Sequence, residues 1–136
     1  MRIRLAILAV SAALLAMAAA APMFAHHSFV AQYDAKKPVT LTGVVTKVEW
    51  MNPHMYFYID VKDATGKVTK WGLENGNLSG LMRRGWRKDS LKIGDKVTVE
   101  GSLAKDGSKL ANARTVTLAD DRSLFTASSG GDEAER

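Results

Sequence analysis

The sequence predicts a mainly β fold, a small OB-like barrel of five strands with one short helix between strands 3 and 4. Two observations point there. The order of elements is three strands, a helix and two strands, and a phase change at Gly43 bends the first strand, as closing a small sheet requires. Cysteine is absent from the 136 residues, so packing must supply the stability. An open antiparallel sheet carrying one helix is the other arrangement compatible with this order.

Met1 to Ala21 has Arg2 and Arg4, the apolar run Leu5-Ala6-Ile7-Leu8-Ala9-Val10 and an uncharged Ala-rich stretch. These are the three parts of a secretory signal peptide. A retained membrane span is the alternative, but it needs about 20 strongly apolar residues, and this run is diluted by alanine. Without a Cys after the run, lipid anchoring is excluded. Cleavage after Ala25 is preferred to cleavage after Ala20, which would leave Ala21-Pro22 at the new terminus, so residues 1–25 are assigned to the signal and His26 becomes the first mature residue.

The remainder has the size of one ordinary domain. The whole chain carries 19 Lys and Arg against 14 Asp and Glu. Two of the basic residues leave with the signal, and the interspersed remainder is too mildly charged to suggest nucleic acid. Export out of the cytoplasm is expected, with no stable membrane span after processing.

Residues 26–38 show no clear period and end at Lys37-Pro38, which reads as an extended arm. The β domain covers 39–119. Val39 to Trp50 is rich in β-branched residues, with apolar positions odd-numbered at Val39 and Leu41 and even-numbered at Val44, Val48 and Trp50. A glycine at that change of face suggests a bulge or bend. Asn52-Pro53 marks a turn, and Met55, Phe57, Ile59 and Val61 alternate with Tyr56, Tyr58 and Asp60 as a half-buried strand. Asp63-Ala64-Thr65-Gly66 turns the chain into a third strand from Val68 to Leu73.

Leu78, Leu81, Met82 and Trp86 fall near helical spacing after a capping Asn77. After a turn at Leu91 to Asp95, Val97, Val99 and Leu103 mark strand 4, and a loop at Lys105 to Ser108 leads to strand 5, Leu110 to Leu118. Residues 120–136 are polar and read as a disordered tail.

Ala25-His26-His27-Ser28-Phe29, Lys37-Pro38-Val39-Thr40-Leu41-Thr42-Gly43, Asn52-Pro53-His54, Arg83-Arg84-Gly85-Trp86 and Gly94-Asp95 followed by Val97-Thr98-Val99-Glu100-Gly101 stand in fixed order. Together they resemble the exported bacterial domain family of unknown function numbered 6152. The resemblance spans nearly the whole mature chain and implies a small, exported, β-rich proteobacterial domain; it implies no activity.

The chain has three histidines, and all lie in these motifs. With His26 at the new terminus, its amine and ring Nδ1 can close a six-membered chelate on one ion, and another imidazole supplies a third nitrogen. Such a set suits Cu(II), and as local chemistry it resembles the histidine brace of copper monooxygenases and periplasmic copper carriers. His54, presented by the Asn52-Pro53 turn, is the natural partner, and His27 can replace His26 or add a ligand. The amine must lose its proton to bind, so affinity should rise through neutral pH. The plain alternative is that His26 and His27 are polar residues of an arm and that His54 hydrogen-bonds within a turn.

Glu49 and Glu74 are candidates to orient an imidazole, since a metal-bound His usually donates its other N–H to such a group; otherwise Glu49 faces solvent and Glu74 ends a strand. Tyr33 and Asp34 in the arm share that ambiguity. Tyr56 and Tyr58, on the polar side of their strand, form a candidate face for an envelope protein or other periplasmic ligand, whereas Trp50 and Trp71 are explained by core packing. Arg83, Arg84, Arg87 and Lys88 read as a solvated helix end, although an acidic partner or lipid headgroups would also suit them. Motif context for a catalytic triad, carboxylate pair, phosphate loop or organic cofactor is lacking, so the expectation is a copper-holding carrier or accessory protein rather than an enzyme. The competing expectation is a metal-free interaction module.

Overall fold

The computed structural model describes residues 29–126. The signal segment, His26, His27 and residues 127–136 lie outside the described residues. Residues 29–32 are helical, where the sequence reading had an extended arm. The strands are β1 (Tyr33–Glu49), β2 (Tyr56–Lys62) and β3 (Val68–Glu74), followed by the helix α1 (Leu78–Arg83) and then β4 (Lys96–Ala104), β5 (Leu110–Leu118) and β6 (Ser123–Phe125).

The five-stranded OB-like barrel is not what forms. One six-stranded sheet runs in the order β3-β2-β1-β4-β5-β6, and an additional β3–β5 pairing makes it ring-like. Two features separate it from the expectation. Ser123–Phe125, read in the sequence as part of a polar tail, pairs antiparallel with Thr115–Thr117 as a sixth strand. The ring is also closed only by a short parallel contact, Gly72–Glu74 against Leu110–Asn112. One edge of β5 is thus divided between β3 and β6 instead of continuing a uniform wall. That parallel contact equally rules out the open antiparallel sheet.

The bend in β1 lies later than Gly43. Leu41, Gly43 and Val45 are buried while Val44 is exposed, so the odd-numbered face persists through Val45. The pairing with β2 then slips between Val45 and Lys47. The extra residue, Thr46, moves Val48 and Trp50 onto the core side, as a bulge must in a period-2 strand. Gly43 has another role. A Cβ there would collide with the backbone carbonyl of Asp60, so glycine is required by the close approach of β2. Next to the bulge, Val45 N–H donates to Asp95 O at 2.9 Å and Gly94 N–H to Val45 O at 2.8 Å, which fixes the loop before β4.

The core lies inside the curved sheet, where Phe57, Ile59, Leu73, Val97 and Val116 are buried, each contributing about 1.5–3 kcal/mol. Helix α1 packs Leu78 and Leu81 against this core. The Asn77 side chain accepts from Gly80 N–H at 2.8 Å, as a cap should, and turns Leu81 inward. Just beyond it Trp86 is fully buried, and its Nε1–H donates to Phe125 O at 2.9 Å, holding β6 in place.

Candidate functional site

The turn at Asn52-Pro53-His54 is built into the fold rather than left as a free loop. Asn52 Oδ1 accepts from the backbone N–H of Leu78 at 3.1 Å, tying the turn to the start of α1. Met55 N–H donates to Gly76 O at 3.1 Å and Asn75 N–H to Met55 O at 2.8 Å, continuing the β2–β3 ladder past its last pair, Tyr56 opposite Glu74. His54 is therefore carried on paired backbone. Because side chains alternate along a strand, Tyr56 and Glu74 lie on the face opposite Phe57 and Leu73.

Glu74 is nevertheless only 6% exposed. A buried carboxylate is tolerated when donors surround it, and three do. Its Oε2 accepts from the hydroxyl of Tyr33 and, at 2.8 Å, from that of Tyr56; its Oε1 lies 3.0 Å from His54 Nδ1. One donor comes from the first residue of β1, one from β2 and one from the turn before β2. The carboxylate thus joins three segments distant in sequence.

This arrangement decides the chemistry of each donor. An ionised carboxylate only accepts, so His54 Nδ1 carries a proton, and in the neutral ring Nε2 keeps its lone pair. The His54 side chain is 30% exposed. Burial, reinforced by the hydrogen bond and negative charge of Glu74, pushes the Tyr33 and Tyr56 hydroxyls above the ordinary tyrosine range. Both phenols therefore remain O–H donors. Glu74 has both oxygens engaged, which suits it to hold an imidazole rather than to bind an ion itself.

Glu49 does not join this group. It pairs with Lys47 Nζ at 2.5 Å and accepts from the Tyr58 hydroxyl at 3.4 Å, while Lys47 Nζ stands 5.4 Å from the Tyr58 ring centre. The hydrogen bond to Glu49 is the main cause raising the Lys47 pKa. Tyr58 also packs on Gly72, where an added Cβ would lie 3.3 Å from the ring. The Tyr56 and Tyr58 face of the sequence reading is thus a surface whose two hydroxyls already have partners. Asp34 accepts from Lys36 N–H at 3.0 Å, within β1.

The gathering of Tyr33, Tyr56 and His54 around Glu74 is more than the sequence reading foresaw. Glu74 and His54 were both candidates, but their pairing depends on the β2–β3 register, and Tyr33 was an ambiguous arm residue. Asn75, next in sequence, is 1% exposed; its Nδ2 donates to Leu73 O at 3.2 Å, and its Oδ1 is the one buried side-chain polar atom without a partner among the described residues. No sequence signal marked it.

Among the described residues no group of three or more His, Cys, Asp or Glu is placed to hold a metal ion, so His54 by itself is not a complete site. No helix among the described residues is long and apolar enough to cross a membrane. Comparison with curated proteins finds no match, and comparison with solved structures finds none. Residues 13–113 match a family model described as Family of unknown function (DUF6152), and the chain belongs to that family.

Proposed function

We propose that this is an exported periplasmic protein that holds a transition metal, copper foremost, as a carrier or accessory protein. The observation that supports this reading is the His54–Glu74 contact. A buried carboxylate fixes the imidazole through Nδ1 and leaves Nε2 of a half-buried side chain as an oriented nitrogen donor, the arrangement commonly found behind metal-bound histidines. The donors are nitrogens, and cysteine is absent from the chain, which favours copper over metals that prefer thiolate or all-oxygen sites. The His26 amine and ring would supply the other nitrogens, with His27 as a substitute or addition. Bound copper supplies a Lewis-acidic and redox-active centre. The protein's part is to hold and release it.

The metal-free interaction module has less to rest on, because the hydroxyls of Tyr56 and Tyr58 are both engaged by carboxylates. The test is a Cu(II) titration of the exported, processed protein, of the same protein with one extra amino-terminal residue, and of the His54→Ala variant. The reading expects tight binding by the first and a weakening of at least about tenfold in the other two, the range seen when parts of a metal site are lost. Absence of binding by the processed protein, or equal binding by all three, would overturn it.

A further inference from the structure

We propose that the segment from Met82 to Ile93 docks on a lipid surface rich in anionic phospholipid headgroups. Leu81, Trp86 and Leu91 belong to the core cluster, whereas Met82 to Gly85, Arg87 to Asp89, Lys92 and Ile93 are exposed. Three inward anchors therefore turn the intervening side chains outward. These include Arg83, Arg84, Arg87, Lys88 and Lys92, set against the acids Asp89 and Asp95. Asp95 is already engaged, since its Oδ2 accepts from Lys92 N–H at 2.8 Å. Among the described residues Arg83, Lys88 and Lys92 have no carboxylate partner, so their charges face solvent.

The segment is held in one shape. Gly85 N–H donates to Met82 O at 3.1 Å, Trp86 N–H to Leu81 O at 3.0 Å and Ser90 N–H to Arg87 O at 3.0 Å, while Arg87 N–H donates to Ser90 Oγ at 2.8 Å. Arg87 Nη1 donates to Trp86 O at 2.8 Å, which holds the guanidinium against the segment. Little ordering is left to oppose binding. Two apolar side chains bracket the charges, Met82 at 46% exposed and Ile93 at 74%. Cations that gather anionic headgroups, next to apolar side chains able to enter the acyl boundary, are the two parts of an interfacial site. A solvated helix end accounts for Arg83, in the last turn of α1, but not for cations that continue to Lys92. An acidic protein would use the charges and leave Ile93 without a role.

Co-sedimentation tests the proposal, using the exported, processed protein with vesicles of phosphatidylcholine alone or of phosphatidylcholine mixed with phosphatidylglycerol. Binding is expected to the mixed vesicles only, and high salt should release it by shortening the screening length. Each Lys or Arg near an anionic surface contributes about fivefold. A variant carrying Arg83→Gln, Lys88→Gln and Lys92→Gln should therefore bind on the order of a hundredfold more weakly, and Ile93→Ser about tenfold. A control carrying Lys36→Gln, Lys37→Gln and Lys67→Gln removes the same charge near the start of β1 and in the β2–β3 turn, and should bind almost as the parent does. All of these positions are exposed, so the variants should fold, which urea unfolding checks.

A parent that does not bind mixed vesicles, equal losses in the two triple variants, or full binding by Ile93→Ser would each overturn the proposal. Capture of poly-glutamate in place of vesicles, lost in the Arg83, Lys88 and Lys92 variant, would also overturn it and give the surface to an acidic protein. Vesicle binding needs no copper, so this result stands apart from that of the metal titration.

Discussion

Replacing Glu74 with Gln tests the centre of the site at almost constant shape. The amide offers one acceptor and one donor where the carboxylate offered two acceptors. Tyr33 and Tyr56 both require an acceptor at the Oε2 position, so the amide oxygen turns to them and the NH2 faces His54. His54 Nδ1 must then accept, its proton moves to Nε2, and the ring loses its outward lone pair. Hydrogen bonds to a charged group contribute about 1.5–3 kcal/mol and neutral ones about 0.5–1.5, so each tyrosine contact loses about 1 kcal/mol.

The His54 contact adds little because that side chain is 30% exposed, and removing a buried charge returns part of the loss. The net is a destabilisation of about 1–2 kcal/mol, or roughly 5–15 °C in Tm for a domain of this size. Urea unfolding measures the stability, nitrogen-15 NMR of the imidazole reports the tautomer, and Cu(II) titration reports the lost donor. A variant as stable as the parent, with His54 still protonated at Nδ1, would refute the reasoning.

Alkaline pH should act through the two tyrosines. Their pKa values are raised on folding, so the folded state holds its protons more tightly than the unfolded state does. The resulting stability is fully present below the unfolded tyrosine pKa of about 10 and is lost as pH rises through the folded values. Unfolding free energy measured between pH 8 and about 11.5 should fall steeply in the parent and less in a variant carrying Tyr33→Phe and Tyr56→Phe; equal slopes would contradict the assignment. Trp86→Phe removes the donor to Phe125 O and leaves part of a fully buried site empty. It should cost about 2 kcal/mol and speed amide exchange at Phe125 and Thr126; exchange unchanged there would mean that Trp86 does not hold β6.

Much of the fold was legible because its cause is local. Alternation alone predicts the inward face of β2, since Phe57 and Ile59 are buried while their neighbours are not, and Asn77 marks the start of α1 by a hydrogen bond three residues long in sequence. The phase of β1 was misplaced because Val44 and Val45 are both apolar. Only pairing with β2 reveals that the slip falls at Thr46. β6 was missed for a similar reason. Ser123-Leu124-Phe125 is too short to carry a period, and its place depends on β5 and on Trp86, which is far away in sequence.

By itself the sequence determined the β-rich class, the absence of thiols and the short list containing His54 and Glu74. Those features follow from composition and neighbouring residues. The tertiary structure decided that Glu74 is buried, that His54 and Tyr33 meet it on its two oxygens, and that Glu49 belongs with Lys47 instead. Such choices are made by strand register and by the desolvation of a charge, which acts only once the chain has closed around it.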